Sequence, residues 1–107
     1  MNLAQMKCAP GSQAKALSTD EISTQLATLT GWQQVGKEIH KTYAFKNYHE
    51  TMAFVNASAW VSHREDHHPD MSVHYNKCVV AYSTHDAGGI TLNDLICAAK
   101  LDALFAL

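Results

Sequence analysis

The sequence predicts an α+β domain of order αββαββα, with one four-stranded antiparallel sheet covered on one face by helices. Three observations predict it. Apolar residues recur at helical spacing in three separate stretches, four short β-rich stretches lie between them in two pairs, and each pair is joined by a short turn. Helices packed on one face of an antiparallel sheet bury such elements with the least exposed apolar surface. The chain has 107 residues, 47% hydrophobic and 17% charged, which suits one globular domain. A domain of this size buries roughly two-thirds of its unfolded surface, so it needs no metal or disulfide as a staple.

Residues 1–17 read as a mobile leader broken at Pro10-Gly11, and the folded domain as residues 18–107. Ser18-Thr19-Asp20-Glu21 is a helix-start signature with acids in the first turn. Ile22, Leu26 and Leu29 follow at helical spacing, and Gly31 is placed to end the helix. Trp32–Val35 and Ile39–Phe45 read as strands around Gly36-Lys37-Glu38. In the second of these, Ile39, Lys41, Tyr43 and Phe45 share one face and His40, Thr42 and Ala44 the other.

Tyr48 to about Asp66 is the longest helical stretch, with Met52, Val55, Ala59 and His63 as its apolar stripe, widened by Ala53, Ala57, Trp60 and Val61. His67-His68-Pro69 is expected to end it, because the residue before proline is driven out of the α region. Met71–Tyr75 and Cys78–Thr84 form a second hairpin about Asn76-Lys77, with the β-branched CVVAYST run as a central strand. After Gly88-Gly89, Thr91 and Asp94 stand as N-cap and N3 of a final helix, whose apolar face is Leu92, Leu95, Ile96, Ala99, Ala103 and Leu104.

A formal net charge of −2 excludes nucleic-acid binding driven by bulk positive charge. No run approaches the ~20 apolar residues of a membrane span, and the first residues lack the continuous apolar core of a secretory signal. Cys8, Cys78 and Cys97 form neither a CxxC motif nor an even disulfide set, so they read as reduced thiols with two buried, in the cytoplasm.

Histidine is the unusual component. There are seven, and four fall between His63 and His74. His67 and His68 stand where the long helix ends, and His85 where the fourth strand ends, both in connections of the kind that carry functional groups. Converging imidazoles suit general acid–base work, because an unperturbed imidazole titrates near neutrality. His63 and His67 have the i,i+4 spacing of a zinc pair, but Arg64 follows His63 where an HExxH pattern needs Glu, so no metal site is expected. His40, His49 and His74 have no evident partner.

The run His63-Arg64-Glu65-Asp66-His67-His68-Pro69, followed at fixed spacing by Tyr75, His85 and Asp94, resembles the signature of the pterin-4a-carbinolamine dehydratases. HYNKCVVAYSTHDAGGIT resembles that family's second hairpin and loop. The resemblance implies a small cytoplasmic enzyme that removes water from 4a-hydroxytetrahydrobiopterin to give quinonoid dihydropterin. That step returns the cofactor of aromatic amino-acid hydroxylases to recycling. The reaction needs one acid and one base and no metal or redox cofactor. By the same resemblance the active-site histidines are His67, His68 and His85. The pterin-contacting segments are His67, His68 and Pro69, and Thr84, His85, Asp86 and Ala87. His67 and His85 are then the acid–base pair, in either order, and His68 holds the ring.

Two positions depart from the family pattern: His63 stands where many relatives carry Glu, and Met71 where they often carry Trp. Asp94 matches the family's last acidic position and is read equally as a helix cap and as a catalytic support, with His63 as a second supporting position. The family also includes a dimerisation cofactor of a homeodomain transcription factor, so a protein-binding coactivator is the alternative function, and a pterin-binding protein without turnover a third. Leu101, Leu104, Phe105 and Leu107 exceed what one small sheet face needs, which together with the free sheet edges predicts a homodimer or homotetramer.

Overall fold

The structure, a computed structural model, describes residues 2–106. Its regular elements are α1 (Thr19–Leu26), β1 (Gln33–Val35), β2 (Glu38–Ala44), α2 (Tyr48–Glu65), β3 (Asp70–Val73), β4 (Lys77–Tyr82) and α3 (Leu92–Phe105). The strands form one antiparallel sheet in the order β1-β2-β4-β3. Two hairpins thus lie side by side, joined through β2 and β4, and α2 is the connection between them. In the first hairpin Gly36, at φ +61°, opens the two-residue turn and adopts a conformation that other residues resist.

Strand alternation decides which face is covered. Ile39, Tyr43, Cys78, Val80 and Tyr82 are at most 1% exposed, whereas Thr42 and Ala44 on the opposite face are exposed. Tyr43 meets Phe54 of α2 with ring centroids 4.6 Å apart and Phe105 of α3 at 5.1 Å, so both helices lie on that inner face. The interior of α3 runs through the core: Leu95, Ile96, Cys97, Ala98 and Leu101 are all within 1% of complete burial. Burying each of the larger aliphatic side chains contributes about 1.5–3 kcal/mol. Among the described residues no helix is long and apolar enough to cross a membrane.

Four expectations are corrected. Helix α1 stops at Leu26, well before Gly31, because Thr28 turns its hydroxyl onto the Gln25 carbonyl (2.7 Å) and the chain tightens into turns. Helix α2 is rotated relative to the anticipated stripe. It buries Thr51, Phe54 and Ser58, while Ala59, Trp60 and His63 are exposed. The hydroxyls are accommodated because Thr51 donates to a carbonyl (Asn47 at 3.0 Å, Tyr75 at 3.1 Å) and Ser58 to Val55 at 2.6 Å. Leu101, assigned to surplus apolar surface, is fully buried within the chain, whereas Phe105 stays 45% exposed as expected although its ring meets Tyr43, Phe45 and Phe54; Leu107 lies outside the described residues.

The fourth correction concerns residues 2–17, which are bound to the body of the fold as a strap. Leu3 is 5% exposed. Lys100 Nζ donates to the Ala4 carbonyl (2.9 Å), Cys8 N to Glu65 Oε1 (2.8 Å), and Leu17 N to the Ile90 carbonyl (2.8 Å). Ala9 exchanges two hydrogen bonds with the Asn93 side chain (3.0 and 2.9 Å). Cys8 Sγ lies 3.6 Å from Cys97 Sγ, and that contact, together with burial, pushes the Cys97 thiol up. The leader looked structureless because its anchors are backbone groups meeting distant side chains, and such pairs leave no periodic pattern.

Sequence reading also missed an inner polar cluster. Asp102 Oδ1 accepts from Lys41 Nζ (2.7 Å) and from the Tyr43 hydroxyl (2.6 Å), and Trp32 Nε1 donates to the same carboxylate at 3.1 Å. Trp32, placed at the start of the first strand from sequence, precedes β1 and is 5% exposed.

Candidate active site

The end of α2 sets the first wall. Asp66 caps it in the left-handed region (φ 51°, ψ 43°), which aspartate tolerates better than most residues. His67 N then donates back to the Ser62 carbonyl at 3.2 Å. This turn ends the helix at Glu65, close to the end expected about Asp66, with the cap three residues before Pro69. It also carries His67 off the helical path, so His63 and His67 do not share one helical turn as a zinc pair would.

The second wall follows β4. Thr84 and Gly89 pair backbone to backbone (Thr84 N to Gly89 O, 2.9 Å), pinching off a 3₁₀ turn over His85–Ala87. Gly88, at φ +70°, closes that turn. Between the walls lies a cleft of ≈ 470 Å³, within the range of small-molecule sites. His67, His68, Thr84, His85 and Asp86 line it, and so do Gly11, Asp66, Asp70 and Ser83.

One imidazole is held from behind. His67, 12% exposed, donates from Nε2 to Oδ1 of the fully buried Asp94 at 2.6 Å. The other carboxylate oxygen accepts from Thr91 N (2.8 Å) and from the Thr84 hydroxyl (2.9 Å). Asp94 is therefore both the helix cap and the partner of a cleft histidine, one role per oxygen. Because the partner is a carboxylate, which only accepts, Nε2 of His67 carries the proton in this bond. The His67 ring also lies nearly parallel to Tyr82 (17°), with centroids 5.7 Å apart. Tyr82 is completely buried, and its hydroxyl has no protein partner among the described residues. Burial, with smaller contributions from Cys97, Cys8 and Asp94, pushes its pKa well up, so it stays protonated.

His68 and His85 are exposed at the cleft; His68 Nδ1 lies 3.3 Å from the Pro69 carbonyl. Other anticipated positions fall outside. Pro69 and Ala87 do not line the cleft. His63 is exposed beside Trp60, ring centroids 6.3 Å apart, so the departure there does not touch the His67 carboxylate partner. Met71 faces Ser58, whose hydroxyl is 3.9 Å from its sulfur, and it too is away from the cleft. Among the described residues no cluster of three or more His, Cys, Asp or Glu could hold a metal. Asp66, Asp70 and Ser83 were not anticipated, although each adjoins an anticipated residue. Gly11 had no local signal at all.

The chain is similar to known proteins in both sequence and fold. The sequence profile of the family described as "Pterin 4 alpha carbinolamine dehydratase" matches residues 15–104. A protein of Chromobacterium violaceum, provisionally named pterin-4-alpha-carbinolamine dehydratase, is 60% identical over 105 residues, covering 98% of this chain and 97% of its own. One of Nitrosospira multiformis with the same provisional name is 56% identical, covering 97% and 93%. Among solved structures, a Brucella melitensis protein described as a transcriptional coactivator/pterin dehydratase superposes with a TM-score of 0.81 at 30% identity, over 84% of this chain and 98% of its own. A pterin dehydratase-like protein described as a RuBisCO assembly factor in the alpha-carboxysome gives 0.60 at 27% identity, over 69% and 88%.

Proposed function

The chain belongs to the pterin-4a-carbinolamine dehydratase family, and from that premise we propose that it dehydrates 4a-hydroxytetrahydrobiopterin, or a close pterin carbinolamine, in the cytoplasm. The observation that supports this most directly is the cleft on which His67, His68 and His85 converge, with His67 hydrogen-bonded to buried Asp94. In a carbinolamine one carbon bears both a hydroxyl and a ring nitrogen. An acid protonates the hydroxyl oxygen, which leaves as water with the C–O electron pair. A base takes the N–H proton, whose electrons close the C=N bond. His67 and His85 are that pair. Asp94 orients the His67 ring and steadies its cationic form, and His68 holds the pterin. The product, a quinonoid dihydropterin, can serve an aromatic amino-acid hydroxylase again only after a separate two-electron reduction to the tetrahydropterin.

The test is direct. Carbinolamine generated in solution is mixed with the purified chain, and formation of quinonoid dihydropterin is followed against the unassisted rate. Clear acceleration supports the reading. Binding without acceleration makes the chain a pterin-binding protein, and neither result removes pterin chemistry from it.

A second reading, a protein-binding role like those named for the two structural relatives, is favoured by one feature. Trp60 and Tyr75 are 64% and 67% exposed and lie outside the cleft. Such binding would survive replacement of the cleft histidines.

A further inference from the structure

The strap contributes a wall to the cleft from residues that precede the matched profile, which begins at residue 15. Its anchors are at the two helix ends that present the catalytic groups. Lys7 Nζ donates to the Arg64 carbonyl (3.1 Å) and Cys8 N to Glu65 Oε1 (2.8 Å), in the last turn of α2 just before His67. Ala9 is clamped through both backbone groups by Asn93, which is 3% exposed and adjacent to Asp94. These contacts deliver a short 3₁₀ turn, Gly11–Gln13, against the turn that carries His85.

Gly11 lines the cleft itself. Its backbone is not left-handed, so its conformation does not demand glycine. A Cβ built there would meet Asp86 Oδ2 at 3.3 Å and no other heavy atom within 4 Å outside its chain neighbours. A side chain at this position would therefore crowd the Asp86 carboxylate, which must give by a few tenths of an ångström, at the cleft and beside His85. We infer that the strap is a wall of the pterin site, and that the missing side chain at Gly11 sets how much ligand bulk the cleft admits. Gly11 and Asn93 are positioning and specificity residues and take no part in proton transfer. The inference rests on the pterin reading above.

Gly11→Ala, Gly11→Leu and Asn93→Ala test it, with 7,8-dihydrobiopterin as a stable binding probe and carbinolamine as substrate. Gly11→Leu should weaken probe binding and raise KM at least about tenfold, Gly11→Ala less, with kcat changing little because the imidazoles are intact. The melting temperature should hold, since the new side chain adds no buried strain. Asn93→Ala should raise KM through the freed strap, and hydrogen exchange at residues 7–13 should speed up. Probe binding by Gly11→Leu equal to wild type overturns the wall alone. Failure of the wild-type chain to bind the probe overturns the pterin reading, and the wall falls with it.

Discussion

His67 and Asp94, 27 positions apart, are joined by a 2.6 Å hydrogen bond from Nε2 to Oδ1, made by a carboxylate that is completely buried. A buried carboxylate is tolerable only when its oxygens are satisfied, and here Thr91 N and the Thr84 hydroxyl complete the set. The helix cap fixes the carboxylate, and the carboxylate fixes the ring.

Asp94→Asn should lower kcat by about 10²-fold or more, because an amide cannot steady imidazolium as a carboxylate does. It should also cost about 1–3 kcal/mol of stability, since an amide NH2 opposes donors already in place. Steady-state kinetics and urea denaturation on one preparation check both. An unchanged kcat with lowered stability would reduce Asp94 to a helix cap.

His67→Ala and His85→Ala should each lower kcat by about 10²-fold. His68→Ala should act mainly on KM, since its role is to hold the ring. Wild-type turnover in both of the first two variants would discard the acid–base assignment.

Stability should fall on the alkaline side. Burial raises the pKa of Cys78, Tyr82 and Tyr43, making each a weaker acid, the last helped by its bond to Asp102. In the unfolded chain these groups release protons near their ordinary values, 9.0 for the thiol and 10.0 for the phenols, while the folded chain retains them. Their contribution is fully present below pH 9.0 and declines as pH rises. The decline is about 1.4 kcal/mol per pH unit for each group. Tyr82→Phe removes one such group and an unpartnered hydroxyl, so it should be near neutral at pH ~7 and flatten the alkaline slope. Urea denaturation across this range measures both.

Asp102→Ala should destabilise by about 2 kcal/mol, because the Tyr43 hydroxyl and the Trp32 indole lose their shared acceptor. Lys41→Met should cost less, since it removes a donor and leaves the aromatic pair satisfied. Equal losses in the two variants would mean that the ion pair dominates the cluster.

The chain should run as a dimer or tetramer, with a light-scattering mass well above the 11.8 kDa of one copy. Phe105 and Val35 are 45% and 50% exposed, and both free sheet edges, β1 and β3, remain available for pairing. A monomer at micromolar concentration would contradict this.

The element order, the helix start at Ser18, the capping box at Thr91, the two faces of β2 and the candidacy of His67, His68 and His85 were legible in the sequence. The elements depend on residues a few positions apart, where spacing maps directly onto a helix turn or a strand face, and the histidines stand out by their number and their place at element ends. The rotation of α2 was not legible, because buried Thr51 and Ser58 read as polar until their carbonyl partners are known. Nor was the double duty of Asp94: its cap bond spans 3 residues, but its bond to His67 spans 27. The strap wall at Gly11 is tertiary in the same sense, since the Ala9–Asn93 clamp joins positions 84 apart. Sequence alone therefore determined the family and the order of the elements. The tertiary structure decided which groups share a cleft, because only packing brings together residues that no local period relates.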